Sequence, residues 1–181
     1  VAAAWWSTVE RPTNWRQADW SATGLLPKPS EEREAIIHVM AARTGGLKGA
    51  FSVHSWIVLK EAGAGSYERY DKVGWGLPVR KDAYAAEANW YSNAPFIIKT
   101  IRGTDASNLI LKIRRAIDSY PHDGRGGYRI WPGPNSNSFV AHVLREVPRM
   151  GAVLPPNAVG KDWLSGGEFF QVTPDQRNIH I

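Results

Sequence analysis

The segment Trp131-Pro-Gly-Pro-Asn-Ser-Asn-Ser-Phe139 combines a restricted backbone with small polar side chains. Its prolines limit the backbone, so that residues 135–137 are held at the start of the helix that the apolar spacing of Phe139–Val147 predicts. A helix start carries unpaired N–H groups and partial positive charge, which favour a developing oxyanion or an activated nucleophile. Ser136 is therefore the candidate nucleophile of an acyl-transfer or hydrolytic reaction.

The same polar residues have a purely structural interpretation. Ser and Asn are the preferred residues at a helix N-cap, so Asn135, Ser136 and Asn137 could serve only to cap the helix. The sequence leaves capping and catalysis both open. If the segment forms a site, we expect Asn135, Asn137 and Trp131 to bind the substrate.

A neutral serine needs a general base within hydrogen-bonding distance, and His54 is the candidate. Residues 51–59 alternate as a β-strand does, which puts His54 and Trp56 on one face. A lone histidine on a strand is more often a packing residue, so the assignment depends on what that face meets. Trp56 is a further candidate for substrate binding.

A general base also needs an orienting partner, which we expect from the strand predicted within Tyr67–Trp75. Tyr70 and Glu68 share one face of that strand, while Arg69 and Asp71 share the other. Alternation alone does not decide which face meets His54. We take Tyr70 or Glu68 as the expected partner, Tyr70 as the third catalytic candidate, and Arg69 as a substrate-binding candidate.

Composition bounds the function classes. The 181 residues are 43% hydrophobic and 22% charged, which is typical of one soluble globular domain. Cysteine is absent, which excludes disulfides, thiolate metal sites and a cysteine nucleophile. The five histidines lack metal-ligand spacing and no phosphate-binding glycine loop occurs, so neither a metal nor another cofactor is predicted. The net charge of +5 is scattered and accompanies no nucleic-acid-binding motif, so nucleic acid is not an expected partner.

The elements that must position these residues predict an α+β fold with an antiparallel sheet packed against helices. Residues 35–40 could be helix or strand, whereas the runs 51–59 and 67–75 form a β-hairpin. The remaining expected elements are a third strand (94–101), a helix from Thr104, a short strand (128–131) and a helix over 139–147. As domains we expect an extended N-terminal arm (1–30), one α+β domain (31–170) and an irregular C-terminal tail (171–181).

The opening residues Val1-Ala-Ala-Ala-Trp-Trp6 permit two interpretations. Two tryptophans after small apolar residues suit the interfacial end of a membrane helix or signal segment that precedes Val1, which would give the protein membrane contact. They equally suit aromatic residues packed on the domain. The sequence does not decide between the two.

The string Asn135-Ser-Asn-Ser-Phe-Val140 resembles the Asp/Asn-Cys-Ser-Gly-Phe-Val signature of papain-like cell-wall hydrolases of the NlpC/P60 type. In that signature the cysteine opens a helix, and Ser136 falls on its position. The order of His54 before Ser136 is similar to the circularly permuted branch, which includes lecithin:retinol acyltransferase-like proteins. The resemblance implies a papain-like architecture with Ser in place of the catalytic Cys.

Over residues 15–162 the chain more closely resembles an uncharacterised bacterial family of domains of unknown function with a Trp-Pro-Gly-Pro-Asn-Ser-Asn-Thr/Ser-Phe signature. Further matching stretches are Ala41-Ala-Arg-Thr44, His54-Ser-Trp-Ile57, Arg69-Tyr70, Val73-Gly-Trp-Gly76, Leu154-Pro-Pro156 and Gly160-Lys-Asp162. Members of that family usually start with a membrane-inserted or signal-like segment. The resemblance therefore implies the periplasm or the extracytoplasmic face of the bacterial inner membrane, with envelope or membrane proteins as partners.

Two functions follow as expectations. The first is a binding module or accessory subunit of a membrane-associated assembly, which has kept the fold and lost the cysteine. The second is a hydrolase or acyl transferase, dependent on Ser136 and His54, that acts on amides or esters of the cell wall or of lipids.

Overall fold

Five strands form one antiparallel sheet. The computed structural model describes residues 6, 11–164, 171–172 and 179–180. The strands are β1 (Ile36–Arg43), β2 (Val53–Lys60), β3 (Glu68–Lys72), β4 (Val79–Lys81) and β5 (Phe96–Arg102). They lie in the order β4-β3-β2-β1-β5 across the sheet. The predicted hairpin of β2 and β3 and the predicted third strand, β5, are confirmed.

The segment that the sequence left undecided is β1, the central strand between β2 and β5. Seven of its eight residues are buried, because both faces of the sheet are covered. A strand that is buried on both faces loses the alternation of polar and apolar residues. Its sequence therefore could not be distinguished from a buried helix.

Two helices pack on one face of the sheet, which we call the helix face. They are α1 (Gly103–Asp118) and α2 (Ser136–Glu146). The core between sheet and helices contains Val39, Ile57 and Leu59 from the strands, Ile113 from α1, and Phe139 and Val143 from α2. The expected helices and the packing of the second helix on the sheet are confirmed.

The other face, which we call the arm face, has a second core under irregular segments. It includes Met40, Trp56 and Val58 from the sheet, with Leu26 and Trp90 packed over them. The part of the expected N-terminal arm that the structure describes contributes Leu26 and is joined to the segment over this face by a bridge between Ala22 and Ala88. Residues 1–5 and 7–10 of the arm lie outside the described residues.

Two local expectations differ from the structure. The predicted strand 128–131 is wrong: it is part of an irregular loop, in which Arg129 N–H bonds to the Pro134 carbonyl (2.9 Å) rather than to a neighbouring strand. In the tail that we expected to be irregular, β6 (Gln171–Val172) pairs with β7 (Ile179–His180), while the rest of 171–181 lies outside the described residues. Within the described part of the chain, no helix has both the length and the apolar character needed to span a bilayer.

Candidate functional site

The start of α2 is closed by a capping box. The side-chain oxygen of Asn135 accepts hydrogen bonds from the N–H groups of Asn137 (2.9 Å) and Ser138 (3.1 Å). In return, the Ser138 hydroxyl accepts one from the Asn135 N–H (2.7 Å). This reciprocal pattern satisfies N–H groups that a helix start would otherwise leave unpaired. The capping interpretation therefore holds for Asn135.

The amide nitrogen of Asn135 joins two further segments to the cap. It donates to the carbonyls of Ile130 and Val159, each at 3.0 Å. Gly160 packs directly against this side chain: a β-carbon there would lie 2.2 Å from the Asn135 amide nitrogen. Asn135 is buried with both of its polar side-chain atoms bonded inside the protein, so it organises the loop.

Asn137 connects α2 to the sheet in the same way. Its amide nitrogen donates to the carbonyls of Val53 and Val159, both at 2.9 Å, and its oxygen accepts from the Ser55 hydroxyl at 2.8 Å. Asn137 is also buried. Both asparagines that were expected to bind substrate are thus engaged by the protein, because a helix start at the end of a sheet needs such polar partners.

Ser136 is the first residue of α2, as predicted, and is almost fully buried. It lies at a cavity of about 230 Å³. The cavity is lined by Thr44, Lys48, Phe51, Ser52, Val53, Tyr128, Ile130, Asn135, Ser136, Asn137 and Val159. Burial raises the pKa of Tyr128, and hydrogen bonds from the Ser136 side chain and backbone counteract part of this shift. The neighbour of Ser136 is therefore a neutral phenol, which is a poor general base.

His54 lies on the arm face of β2. Its Nε2 is 3.4 Å from an oxygen of Asp71, and its ring stacks on that of Trp90 with centroids 3.6 Å apart. The next residue, Ser55, points to the helix face, where it bonds to Asn137. His54 does not line the cavity beside Ser136. The structure thus directs these two candidates to different surroundings.

Asp71 is the centre of a buried charge cluster on the arm face. Besides His54 it meets Arg69 (Nη2 to Oδ2, 3.2 Å) and Arg80 (Nε to Oδ1, 3.7 Å). Burial alone would raise the pKa of Asp71, but the hydrogen bond with His54 and the charge of Arg69 outweigh it, so the pKa is lowered. Burial lowers the pKa of His54, and the bond to Asp71 opposes this shift without cancelling it. The pair is therefore a neutral imidazole beside an ionised carboxylate at neutral pH.

The partner of His54 on β3 is Asp71, and not Tyr70 or Glu68. Tyr70 lies opposite Ile57 and packs against the core of the helix face, where its hydroxyl donates to Glu68 at 2.8 Å. The sequence had placed Asp71 on the alternative face. What it could not give is the register of β2 against β3, which decides which face meets His54.

Of the other residues expected to bind a ligand, two are buried and one is exposed. Trp56 is fully buried, and its indole N–H donates to the Ala86 carbonyl at 2.9 Å. Arg69 is buried too, with its guanidinium 4.1 Å from the ring centre of Trp56. Trp131, in contrast, is 75% exposed and free to meet a ligand or partner.

Sequence reasoning missed three residues of the His54 environment: Asp71 as its partner, Arg80 and Trp90. Trp90 lies in an irregular segment with no periodic signal, so nothing in the sequence linked it to His54. As for metal binding, no group of three or more His, Asp or Glu side chains in the described residues could hold a metal ion.

Fold and site together define an α+β domain in which a capped helix start is fastened to one end of an antiparallel sheet. The chain belongs to a family described as a protein of unknown function (DUF3750), whose model matches residues 34–163. The matched region contains the five-stranded sheet, both helices and the bonds around Asn135. No curated protein and no solved structure matches the chain.

Proposed function

We propose that this chain is a non-catalytic binding module of the bacterial envelope, or an accessory subunit of a membrane-associated assembly. Its contact surface is the loop 128–135 together with the cavity beside Ser136. The periplasm or the extracytoplasmic face of the inner membrane is part of the proposal, and it rests on the family resemblance. A papain-like ancestry, with Ser136 at the position of the lost cysteine, is also part of it.

The observation that carries the proposal is that His54 and Ser136 lie in different environments. Serine chemistry requires a base that takes the hydroxyl proton directly or through one water. His54 turns to the arm face, where Asp71 and Trp90 hold it, whereas Ser136 lies at a cavity that His54 does not line. This arrangement supports binding over catalysis.

The contact surface has the properties of a binding loop on a fixed scaffold. Ile130 and Trp131 are exposed, while Asn135 behind them ties the loop to α2 and to Val159. Phe51, also exposed, lines the same cavity as Ile130. Exposed aromatic and aliphatic side chains around a cavity are typical anchors of an interface.

The second candidate function is a Ser136-dependent hydrolase or acyl transferase. One observation favours it: Ser136 opens α2 beside a cavity, which is where a helix start would stabilise an oxyanion. This candidate needs a base for Ser136 other than a neutral tyrosine, or a movement of His54.

The two candidates differ in the reactivity of Ser136 towards a fluorophosphonate, which labels activated serines covalently. We expect no labelling of the wild-type chain at Ser136 by peptide mass spectrometry, and no difference in Ser136→Ala or His54→Gln. Denatured chain gives the background control. Labelling of Ser136 that disappears in His54→Gln would refute the binding-module proposal and establish the hydrolase.

The proposed location is tested separately. The full-length gene product fused at its C-terminus to alkaline phosphatase, which is active only outside the bacterial cytoplasm, should give active phosphatase. A fusion to green fluorescent protein should be non-fluorescent if the chain is exported through the general secretory route. Bright fluorescence with inactive phosphatase would place the domain in the cytoplasm and contradict this part of the proposal.

A further inference from the structure

Large apolar side chains are exposed together at one end of the sheet. At this end β1 finishes and β2 begins, β3 finishes and β4 begins, and α2 is fastened to β2 through Asn137 and Val53. Three segments form it: residues 44–52, 73–78 and 121–135. We call these three segments the apolar end. Their exposed apolar residues are Leu47, Phe51, Trp75, Leu77, Ile130 and Trp131, which are 46–77% exposed.

The three segments are close to one another and held in place. A β-carbon on Gly74 would lie 3.1 Å from the ring of Tyr128, so the segments 73–78 and 121–135 touch. Phe51 and Ile130 line one cavity, which brings 44–52 and 121–135 together. Six large apolar side chains on adjoining segments are more than the scattered exposure of an ordinary surface, and such patches mark interaction sites.

The apolar end is basic. Its three segments carry Lys48, Arg125 and Arg129 against one acid, Asp123, a net charge of +2 from three basic residues less one acidic. Basic charge beside exposed apolar side chains is what an anionic surface attracts.

We propose that the apolar end docks on an anionic lipid bilayer. Its aromatic and aliphatic side chains enter the boundary between headgroups and acyl chains, where tryptophan is favoured, and its basic residues meet lipid phosphates. The presence of Lys48 within the apolar patch favours a lipid partner over a protein partner, because the centres of protein interfaces are depleted in lysine. This inference rests on the proposed function, since it names the partner of the same contact surface.

The position of Trp6 agrees with an orientation of the domain in which the apolar end faces the bilayer. The indole N–H of Trp6 donates to the Gly46 carbonyl at 2.9 Å, in the segment that carries Leu47 and Phe51. Trp6, which is buried, is therefore packed at the apolar end, on the side of the domain that would face the bilayer.

The test is co-sedimentation of the 181-residue chain with vesicles of phosphatidylcholine alone or mixed equally with phosphatidylglycerol. We expect binding to the mixed vesicles, weakened by salt, and at least about tenfold weaker binding to phosphatidylcholine alone. Phe51→Ser and Trp131→Ser should each weaken binding to mixed vesicles by about tenfold or more. Leu111→Ser, a matched change at an exposed leucine on α1, should bind as wild type does.

Charge reversal gives an independent comparison. Lys48→Glu should weaken binding to the mixed vesicles by about tenfold or more, whereas Lys112→Glu on α1 makes the same change of net charge and should have a much smaller effect. Circular dichroism and thermal unfolding must show that each variant is folded as wild type is.

Three results would overturn the inference: no binding of wild type to mixed vesicles, equal effects of the matched variants, or self-association without lipid that Phe51→Ser abolishes. The last result would make the apolar end an interface between copies of the chain. These failures are distinct from failure of the proposed function, which is decided by labelling of Ser136.

Discussion

The imidazole of His54 lies flat on the indole of Trp90, with ring centroids 3.6 Å apart and an angle of 1° between the planes. Together with the contact to Asp71, this stacking fixes His54 within the second core of the molecule. A catalytic histidine needs a ring nitrogen that approaches the nucleophile directly or through one water. Ser136 instead lies at a cavity that His54 does not line, so His54 is better explained as part of the structural cluster around Asp71 on the arm face of the sheet.

The first prediction concerns the buried charge of Asp71. Asp71→Asn removes the counter-charge of Arg69 and leaves a buried cation uncompensated, so we expect a loss of about 3–5 kcal/mol in the free energy of unfolding. Denaturant unfolding measures this. Asp162→Asn breaks the exposed pair with Lys161 and should stay within about 0.5 kcal/mol of wild type. Equal stability of the two variants would show that the cluster at Asp71 does not form.

A second prediction concerns the capping box. Asn135→Ala removes the acceptor for two N–H groups and the donor to Ile130 and Val159, so we expect about 2–4 kcal/mol of destabilisation. Ser138→Ala removes the return bond of the box, the bond from the Ser138 hydroxyl to the Asn135 carbonyl (2.9 Å) and a 3.5 Å contact with the Tyr120 hydroxyl, and should cost about 1–2 kcal/mol. Urea unfolding of both variants measures which substitution destabilises the protein more. A smaller cost for Asn135→Ala than for Ser138→Ala would contradict the role of Asn135 in joining three segments.

Gly160 gives a third prediction, since it combines a positive φ of 90° with close contact to Asn135. Gly160→Ala adds a β-carbon that must displace a fully bonded side chain, so the loss should exceed the roughly 1 kcal/mol typical of alanine at positive φ. Gly24→Ala is the matched control, because φ is 71° there and no atom lies within 4 Å of the added carbon. Similar melting temperatures for the two variants would refute the crowding at Gly160.

The fourth prediction is a pH dependence of stability that His38 produces. Burial, aided by the charge of Arg102, lowers the pKa of His38 from 6.5 to about 4. The unfolded chain therefore binds the proton first, and stability is lost as the pH falls from the unfolded pKa towards the folded one. Between about pH 7.5 and about pH 5 this single group should cost about 2 kcal/mol.

His38→Gln removes the titration, so the difference in unfolding free energy between the two pH values should shrink by that amount, whatever the absolute stability of the variant. His38 is buried against Thr100, with Nδ1 2.9 Å from its hydroxyl oxygen. An unchanged pH difference in His38→Gln would mean that His38 is not shielded from water in the folded chain.

Most elements were predictable because their sequences carry a periodic signal. The hairpin of β2 and β3 alternates, and α1 and α2 repeat apolar residues at helical spacing. Two segments were not predictable. The strand β1 has no alternation because it is buried on both faces, and the loop at 128–131 is held by the hydrogen bond from Asn135 to the Ile130 carbonyl. The importance of residues 135–137 followed from their sequence, but the use of both asparagines as internal bonds did not.

The surroundings of His54 were predictable only in part. Alternation placed Asp71 and Arg69 on a common face, but the choice between that face and the face of Tyr70 depends on strand register. Trp90 comes from an irregular segment far along the chain. Contacts made by such segments leave no local pattern, because they depend on how the whole chain packs.

The central claim is that His54 belongs to Asp71 and Trp90 and not to Ser136, and an NMR titration of the His54 ring tests it most directly. In wild type we expect protonation below the ordinary pKa of histidine, and the same curve in Ser136→Ala. In Asp71→Asn, which removes the group that opposes the effect of burial, the pKa of His54 should fall further. A shift of the His54 titration in Ser136→Ala, with little change in Asp71→Asn, would contradict the account and show that His54 is coupled to the serine.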